Sequence, residues 1–113
     1  MASDIMIQIT TNGMGQGPQD LQLTLIGKYL ELLGQHSELP ALIAFYTEGV
    51  RLVVEGSPVL AQLTALEAKG VRLVACSTCL NYFGLTDKLR VGIAGSMADI
   101  LEGQVRAKKV ISL

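Results

Sequence analysis

The sequence predicts a single α/β domain in which helices flank both faces of a mostly parallel sheet of about five strands. Three observations favour this class: strand-like apolar runs alternate with helical segments, the connections are short, and half of the 113 residues are hydrophobic. A chain of this length fits one domain, so we expect residues 1–113 to form one domain. Because only 4% of the residues are aromatic, the core must be largely aliphatic.

The first third of the chain has the pattern of a strand followed by a helix. The β-branched run Ile5–Ile9 predicts the first strand, and a glycine-rich loop over residues 13–17 follows it. Pro18 suits the first turn of a helix. Apolar residues then keep helical spacing over residues 21–33, and Gly34 is expected to end this helix.

The middle third predicts two strands separated by a helix. Residues 41–46 are continuously apolar, as expected of a strand that is covered on both faces. A short helical stretch is expected over residues 50–54, and a longer helix is expected to have Ser57 as its N-cap and to end at Gly70. Residues 71–75 then predict a third strand.

The last third predicts two further strands and a capped helix. Residues 80–83 can form one helical turn, and residues 90–93 predict a weak fourth strand. Ser96 and Asp99 have the spacing of a capping box at the start of a helix. Residues 109–112 predict the last strand.

Charge and hydropathy restrict the classes of function. Nine basic and ten acidic residues give a net charge of −1, so no nucleic-acid partner is expected. No segment approaches the roughly 20 apolar residues of a membrane span, and Asp4 precedes any basic residue, which argues against a secretory signal. We therefore expect a cytoplasmic protein. Its mean hydropathy of +0.42 is high for a small domain and predicts a homo-oligomer.

The most distinctive motif is Cys76-Ser77-Thr78-Cys79, at the carboxyl end of the third predicted strand. In a reducing compartment, two cysteines indicate reactive or ligand thiols rather than a structural disulfide. Cys79 would lie in the first turn after the strand, where helix N–H groups favour the thiolate, and the C-x-x-C spacing lets one thiol resolve a bond formed by the other. The alternative is a pair of small, buried and inert residues.

Ligands of open parallel sheets bind outside the carboxyl ends of the strands, where three features of this chain should meet. These are the loop after the first strand, the turn after the second strand and the cysteine motif. The substrate-pocket candidates from these features are Asn12, Gly13, Gly15, Glu48, Gly49, Ser77 and Thr78. The glycine spacing matches neither a dinucleotide-binding motif nor a P-loop, so a plain tight turn is favoured there over a nucleotide site.

Metal binding and cofactor binding are not expected. Two thiols leave a zinc site two ligands short unless subunits share one. His36 is the only histidine, and we expect it on the surface. Glu48 could orient a thiol or a substrate group, although a solvated turn residue is the favoured interpretation.

The ten residues from Cys76 to Leu85 resemble the C-G-T-C-L-x-x-x-G-L stretch of the DsrE/DsrF-like family. The closest likeness is to the C-terminal DsrE-like domain of the YedF proteins, which are described as sulfurtransferase-like and are associated with selenium metabolism. Residues 49–52, 55–57 and 66–71 also look like that domain, and the resemblance extends over residues 7–111. It implies a DsrE/F-like fold of the flavodoxin- or Rossmann-like kind.

The resemblance also implies roles for the two cysteines. The sulfur-relay subunits of the family carry an acceptor cysteine eight residues before the motif glycine, and the residue eight before Gly84 is Cys76. Cys76 is therefore the matching persulfide candidate, and Cys79 matches the second cysteine of the C-G-T-C branch. Ser77 departs from the usual glycine, which restricts the loop. A sulfur donor such as a TusA-like carrier is expected to be a separate protein, and related proteins form dimers, trimers and hexamers.

The function predicted from these observations is a cytoplasmic sulfurtransferase-like protein that relays sulfane sulfur or selenium through a cysteine persulfide. A thiol-disulfide oxidoreductase is the weaker alternative, because thioredoxin-like proteins need a cis-proline after the C-x-x-C and no proline follows Cys79. A non-catalytic homo-oligomeric binding module, in which both cysteines serve packing, is the other alternative.

Overall fold

A five-stranded, all-parallel sheet forms the centre of the computed structural model, which describes residues 3–113. In chain order, the strands are β1 (Ile5–Ile9), β2 (Leu42–Phe45), β3 (Arg72–Cys76), β4 (Ile93–Gly95) and β5 (Lys109–Ser112). Their order across the sheet is β4-β3-β2-β1-β5. The predicted class, a single α/β domain with a parallel sheet flanked by helices, is confirmed.

Four α-helices and two 3₁₀ helices connect the strands of the described chain. The α-helices are α1 (Gln19–Gln35), α2 (Leu60–Ala68), α3 (Ser77–Tyr82) and α4 (Met97–Arg106), and the 3₁₀ helices span Thr47–Val53 and Thr86–Lys88. From β1 to β4 the chain advances across the sheet in one direction, and α4 then returns to place β5 beside β1. Because such crossovers are right-handed, this reversal puts α4 on the face opposite to α1 and α2.

Glycine permits the close approach of α4 to the sheet. A Cβ on Gly103 would lie 2.5 Å from Leu42 Cδ2 and 3.3 Å from Met6 Sδ, so a larger residue would have to displace these two side chains. Leu42 and Met6 are paired residues of neighbouring strands and therefore point to the same face. Their partners on the other face, Ile7 and Ile43, belong to the same aliphatic core, in which Phe45 is the one buried aromatic of the described residues.

Local signals placed some element ends correctly. β1 and β5 have the predicted bounds, and the capping box forms as predicted: Ser96 Oγ accepts the Asp99 N–H, while the Asp99 carboxylate accepts the Ser96 N–H. The helical stretch after β2 is the 3₁₀ helix Thr47–Val53.

Other bounds differ from the predicted ones. β2 is one residue shorter at each end than the predicted 41–46, β3 is shifted by one residue from the predicted 71–75, and α3 begins at Ser77 rather than at residue 80. α1 continues past Gly34 to Gln35. α2 begins at Leu60 because Ser57 Oγ accepts the Val59 N–H and so forms a turn before the helix. β4 begins at Ile93 rather than at residue 90, because Gly92 has a φ of +77° and a Cβ there would lie 2.8 Å from the Leu73 carbonyl oxygen.

Candidate functional site

The two cysteines lie at the carboxyl edge of the sheet, as predicted. Cys76 ends β3 between β2 and β4, with only 1% of its surface exposed, and its paired neighbour in β4 is Gly95. Cys79 lies in the first turn of α3 and is partly exposed. Both are free thiols. One sulfur is therefore enclosed by the core and the other reaches its surface.

Leu80 fixes the orientation of α3. Its side chain is fully buried, and its carbonyl accepts the Leu85 N–H where the chain turns at Gly84. On so short a helix, one buried anchor determines which residues face outward. Ser77 and Thr78 are exposed, whereas Cys79 is only partly exposed and packs against the core.

Thr47, the first residue of the 3₁₀ helix after β2, contacts the sulfur of Cys79. Its backbone N–H donates to Cys79 Sγ over 3.1 Å. Its φ is +49°, and it is the only non-glycine residue with positive φ among residues 3–113. For a β-branched residue this conformation costs about 1–3 kcal/mol, and such strain concentrates at functional sites.

The sequence interpretation missed Thr47. Its hydroxyl lies 2.6 Å from the carbonyl oxygen of Thr10 and 2.7 Å from that of Tyr46, and it donates to these acceptors. Thr10 directly follows β1, so the ends of β1, β2 and β3 meet around this residue. The only sequence signal that could have identified Thr47 is its position directly after an apolar strand.

Gly49 is required by packing. A Cβ at this position would lie 2.0 Å from the carbonyl oxygen of Ile9, a distance that atoms cannot adopt. The same carbonyl accepts the Tyr46 N–H at 3.2 Å, and the Gly49 N–H donates to Tyr46 O at 3.0 Å. Gly49 thus lets the segment that carries Thr47 rest directly on the end of β1.

Glu48 forms an ion pair rather than a contact with a thiol. Its carboxylate accepts from Arg51 Nε at 2.6 Å. The guanidinium of Arg51 lies over the ring of Phe83, 4.4 Å from the ring centroid, and Tyr82 packs edge-on against Phe83. Glu48 and Arg51 therefore link the 3₁₀ helix to the end of α3.

The pKa of the Cys79 thiol is raised above its ordinary value. Burial is the main cause, and the hydrogen bond and charge of the neighbouring Cys76 thiol act in the same direction. The N–H of Thr47 opposes them by lowering the pKa. The expected thiolate-favouring effect of the helix N-terminus therefore does not prevail, because desolvation and a second thiol outweigh it.

The glycine loop is tied to α1. The Met14 N–H donates to Gln22 O at 3.0 Å, and the Gln22 side-chain amide donates to Gly15 O at 2.6 Å. A Cβ on Gly13 would lie 2.5 Å from Gln22 Cβ. The carbonyl of Asn12 accepts from the Gln19 side chain. Within residues 3–113, no hydrogen bond joins this loop to either cysteine.

Other potential sites lie away from the thiols. An open cavity of about 730 Å³ lies at the amino-terminal edge of the sheet, where Asp4 and Arg72 line it. A second cavity of about 370 Å³ lies between α1 and β5 and includes Tyr29 and the exposed His36. Within residues 3–113, no group of three or more His, Cys, Asp or Glu side chains could hold a metal ion. None of the helices in that range is both long and apolar enough to span a membrane.

Comparisons with solved structures show the same fold. The YchN protein from Escherichia coli is 24% identical over all of both chains, with a TM-score of 0.69. MTH1491 from Methanobacterium thermoautotrophicum, a protein of unknown function, is 21% identical over 96% of this chain and 97% of its own, with a TM-score of 0.71. BT1422 from Bacteroides thetaiotaomicron, also of unknown function, is 16% identical over 97% and 95% of the two chains, with a TM-score of 0.65. At these identities the likeness establishes the fold alone.

A family model matches nearly the whole sequence. No curated protein matches the chain. The closer likeness to the YedF domain stays a prediction. The model of the DsrE/DsrF-like family, however, matches residues 8–113. These residues include the thiol pair, Thr47 and all of the strands apart from the first residues of β1. The chain therefore belongs to the DsrE/DsrF-like family.

Proposed function

We propose that this chain is a cytoplasmic, sulfurtransferase-like protein that accepts and relays sulfane sulfur, or selenium, on the Cys76–Cys79 pair. The observation that carries the proposal is the arrangement of two free thiols at the carboxyl edge of the sheet, one buried and one partly exposed. The Cys76 thiol is close enough to Cys79 to raise the pKa of Cys79 through a hydrogen bond and through its charge. Family membership supports the same chemistry.

The transfer step is an exchange between thiols and persulfides. After losing its proton to solvent, the attacking thiolate bonds to the outer sulfur of a donor persulfide, R–S–SH. The S–S bond of the donor breaks, its electron pair leaves with R–S⁻, and the cysteine becomes Cys–S–SH. A second thiolate that attacks the same outer sulfur moves it onward in the same way. No external oxidant or reductant is needed.

The difference in solvent exposure between Cys76 and Cys79 favours an order for these steps. Cys79 presents the partly exposed sulfur, so a donor meets this thiol first. Cys76, which the family motif matches to the acceptor position, would then take the outer sulfur from Cys79 and hold it away from water. Release would follow the reverse path through Cys79, where an acceptor thiol can reach the sulfur.

Incubation with a small-molecule persulfide followed by intact-protein mass measurement tests the proposal. The wild-type chain should gain sulfur, and the double variant Cys76→Ala with Cys79→Ser should gain none. Alanine is the better replacement at Cys76, because a serine hydroxyl there would be buried without an assured partner. A wild-type chain that gains no sulfur, or a double variant that gains as much, would contradict the proposal.

A thiol-disulfide oxidoreductase is the second candidate, favoured by the interaction between the two thiols. A reversible Cys76–Cys79 disulfide with a potential in the cytosolic range would support it. Thiols that stay inert to labelling in the native protein would instead favour the non-catalytic binding module.

We also propose that the chain forms homo-oligomers and receives sulfur from a separate TusA-like carrier. Support for self-association comes from apolar side chains that α4 exposes along one stripe, at Met97, Leu101 and Val105. Their spacing of four residues keeps them on one side of the helix. The solvent-facing position of Cys79 suits a sulfur that another protein presents.

A further inference from the structure

The strained conformation of Thr47 has a specific structural cause. Its single hydroxyl proton is shared between the carbonyl oxygens of Thr10 and Tyr46, at 2.6 and 2.7 Å. The backbone on either side is also held, since the Tyr46 N–H donates to Ile9 O and the Gly49 N–H donates to Tyr46 O. The hydroxyl is the one side-chain group of Thr47 that can hold its backbone against the end of β1.

The same conformation directs a backbone donor at the reactive edge of the sheet. The Thr47 N–H points to Cys79 Sγ at 3.1 Å. A donor at this distance favours the charged form of the sulfur over the neutral thiol. It acts against burial and against Cys76, both of which favour the neutral form.

We propose that Thr47 is a positioning residue for sulfur transfer: its hydroxyl holds the left-handed backbone conformation in which its N–H stabilises negative charge on Cys79 Sγ. The inference rests on the proposed function, because charge develops on this sulfur when Cys79 attacks a donor persulfide and when it releases the sulfur again. The N–H would serve both steps, since Cys79 is the attacking anion in the first and the departing anion in the second.

The test compares substitutions that separate the hydroxyl from the backbone it holds. Thr47→Val keeps the shape of the side chain and removes the hydroxyl, whereas Thr47→Ser keeps the hydroxyl. Thr47 is exposed, so neither change opens a cavity in the core. Thr47→Ala also removes the hydroxyl and has no β-branch, so it is the variant to use if Thr47→Val does not fold. Thr24→Val is the matched control, because it removes an exposed threonine hydroxyl that donates to Asp20 O on α1.

The first measurement is the pH dependence of Cys79 alkylation in a Cys76→Ala background, where Cys79 is the only thiol. Loss of the hydroxyl should raise the apparent pKa of Cys79 by about one unit, which is a roughly tenfold loss of thiolate near neutral pH. Thr47→Ser and Thr24→Val should keep the parent profile. An unchanged profile in the folded valine or alanine variant would overturn the proposal.

The second measurement is the rate of sulfur uptake from a small-molecule persulfide with both cysteines present. Thr47→Val should load about tenfold more slowly near neutral pH, and the difference should shrink as the pH rises through the pKa of Cys79. Equal loading rates would overturn the role of Thr47. Failure of the wild-type chain to load at all would instead contradict the proposed function, and the alkylation profile distinguishes the two failures because it needs no sulfur donor.

Discussion

Replacing Gly49 by alanine should both destabilise the protein and disturb the thiol site. The added Cβ would lie 2.0 Å from Ile9 O and 2.8 Å from the carbonyl carbon, so the backbone of the 3₁₀ helix must move by more than an ångström to reach ordinary contact. Because both groups belong to backbone, no side-chain rotation relieves the overlap. Overpacking of this kind costs about 3 kcal/mol, the upper end of its usual range.

Urea unfolding measures this loss directly. A cost of about 3 kcal/mol lowers the midpoint by about 1 M or more for a protein of this size. The displaced segment carries Thr47, so the alkylation profile of Cys79 should also shift to higher pH. Gly27→Ala is the matched control: nothing lies within 4 Å of its added Cβ inside α1, and alanine there should stabilise by about 0.5–1 kcal/mol. A Gly49→Ala protein as stable as the wild type, with an unshifted profile, would refute this reasoning.

Three further predictions concern the scaffold. Ser96→Ala removes the capping box of α4 and should cost about 1 kcal/mol in urea unfolding, and no loss would show that the cap contributes nothing. Leu30 is 1% exposed, so Leu30→Ala should cost about 2–5 kcal/mol of stability. Leu32 is 66% exposed on the same helix, so Leu32→Ala should change stability by less than about 0.5 kcal/mol. Equal effects of the two substitutions would contradict the assigned buried face of α1. The hydrogen bond from Arg90, followed by the charge of Lys88, holds the pKa of Glu55 below its ordinary value of 4.5. The ionised Glu55 carboxylate therefore stabilises the fold fully above pH 4.5, and this contribution is lost as the pH falls through the lowered pKa. Glu55→Gln should therefore flatten the decline of Tm with acidity, and two superimposable Tm-against-pH curves would contradict the assigned partners.

Local patterns were enough to predict the strands that carry the site. The bounds of β1 and β5 follow from short apolar runs, and the position of Cys79 in the first turn of α3 follows from the end of β3. The capping box of α4 is equally local, since both of its hydrogen bonds join residues three apart. Alternation of strands and helices then determined the parallel sheet.

Features set by tertiary contact could not be predicted in this way. Helical spacing identifies a stripe on α1 but not how much of it is covered, and Leu21 and Leu25 are in fact exposed while Ile26 and Leu30 are buried. The late start of β4 depends on the approach of Gly92 to a neighbouring strand.

Thr47 illustrates the same limit at the site. Left-handed conformations are typical of glycine and asparagine, so a threonine gives no warning of one. The acceptor that stabilises it, the carbonyl of Thr10, lies 37 residues away in the sequence. The site could therefore be located from its cysteines, whereas the group that faces Cys79 became evident only from the fold.

The central claim is that the Cys76–Cys79 pair first accepts one sulfur atom and then releases it. The most direct measurement loads the protein from a persulfide that carries isotopically labelled sulfane sulfur, removes the donor and then adds reduced glutathione. The wild-type chain should carry the label and then deliver it as glutathione persulfide, and the variant lacking both thiols should do neither. A wild-type chain that takes up no more label than this variant, or that holds its label without delivering it, would contradict the account.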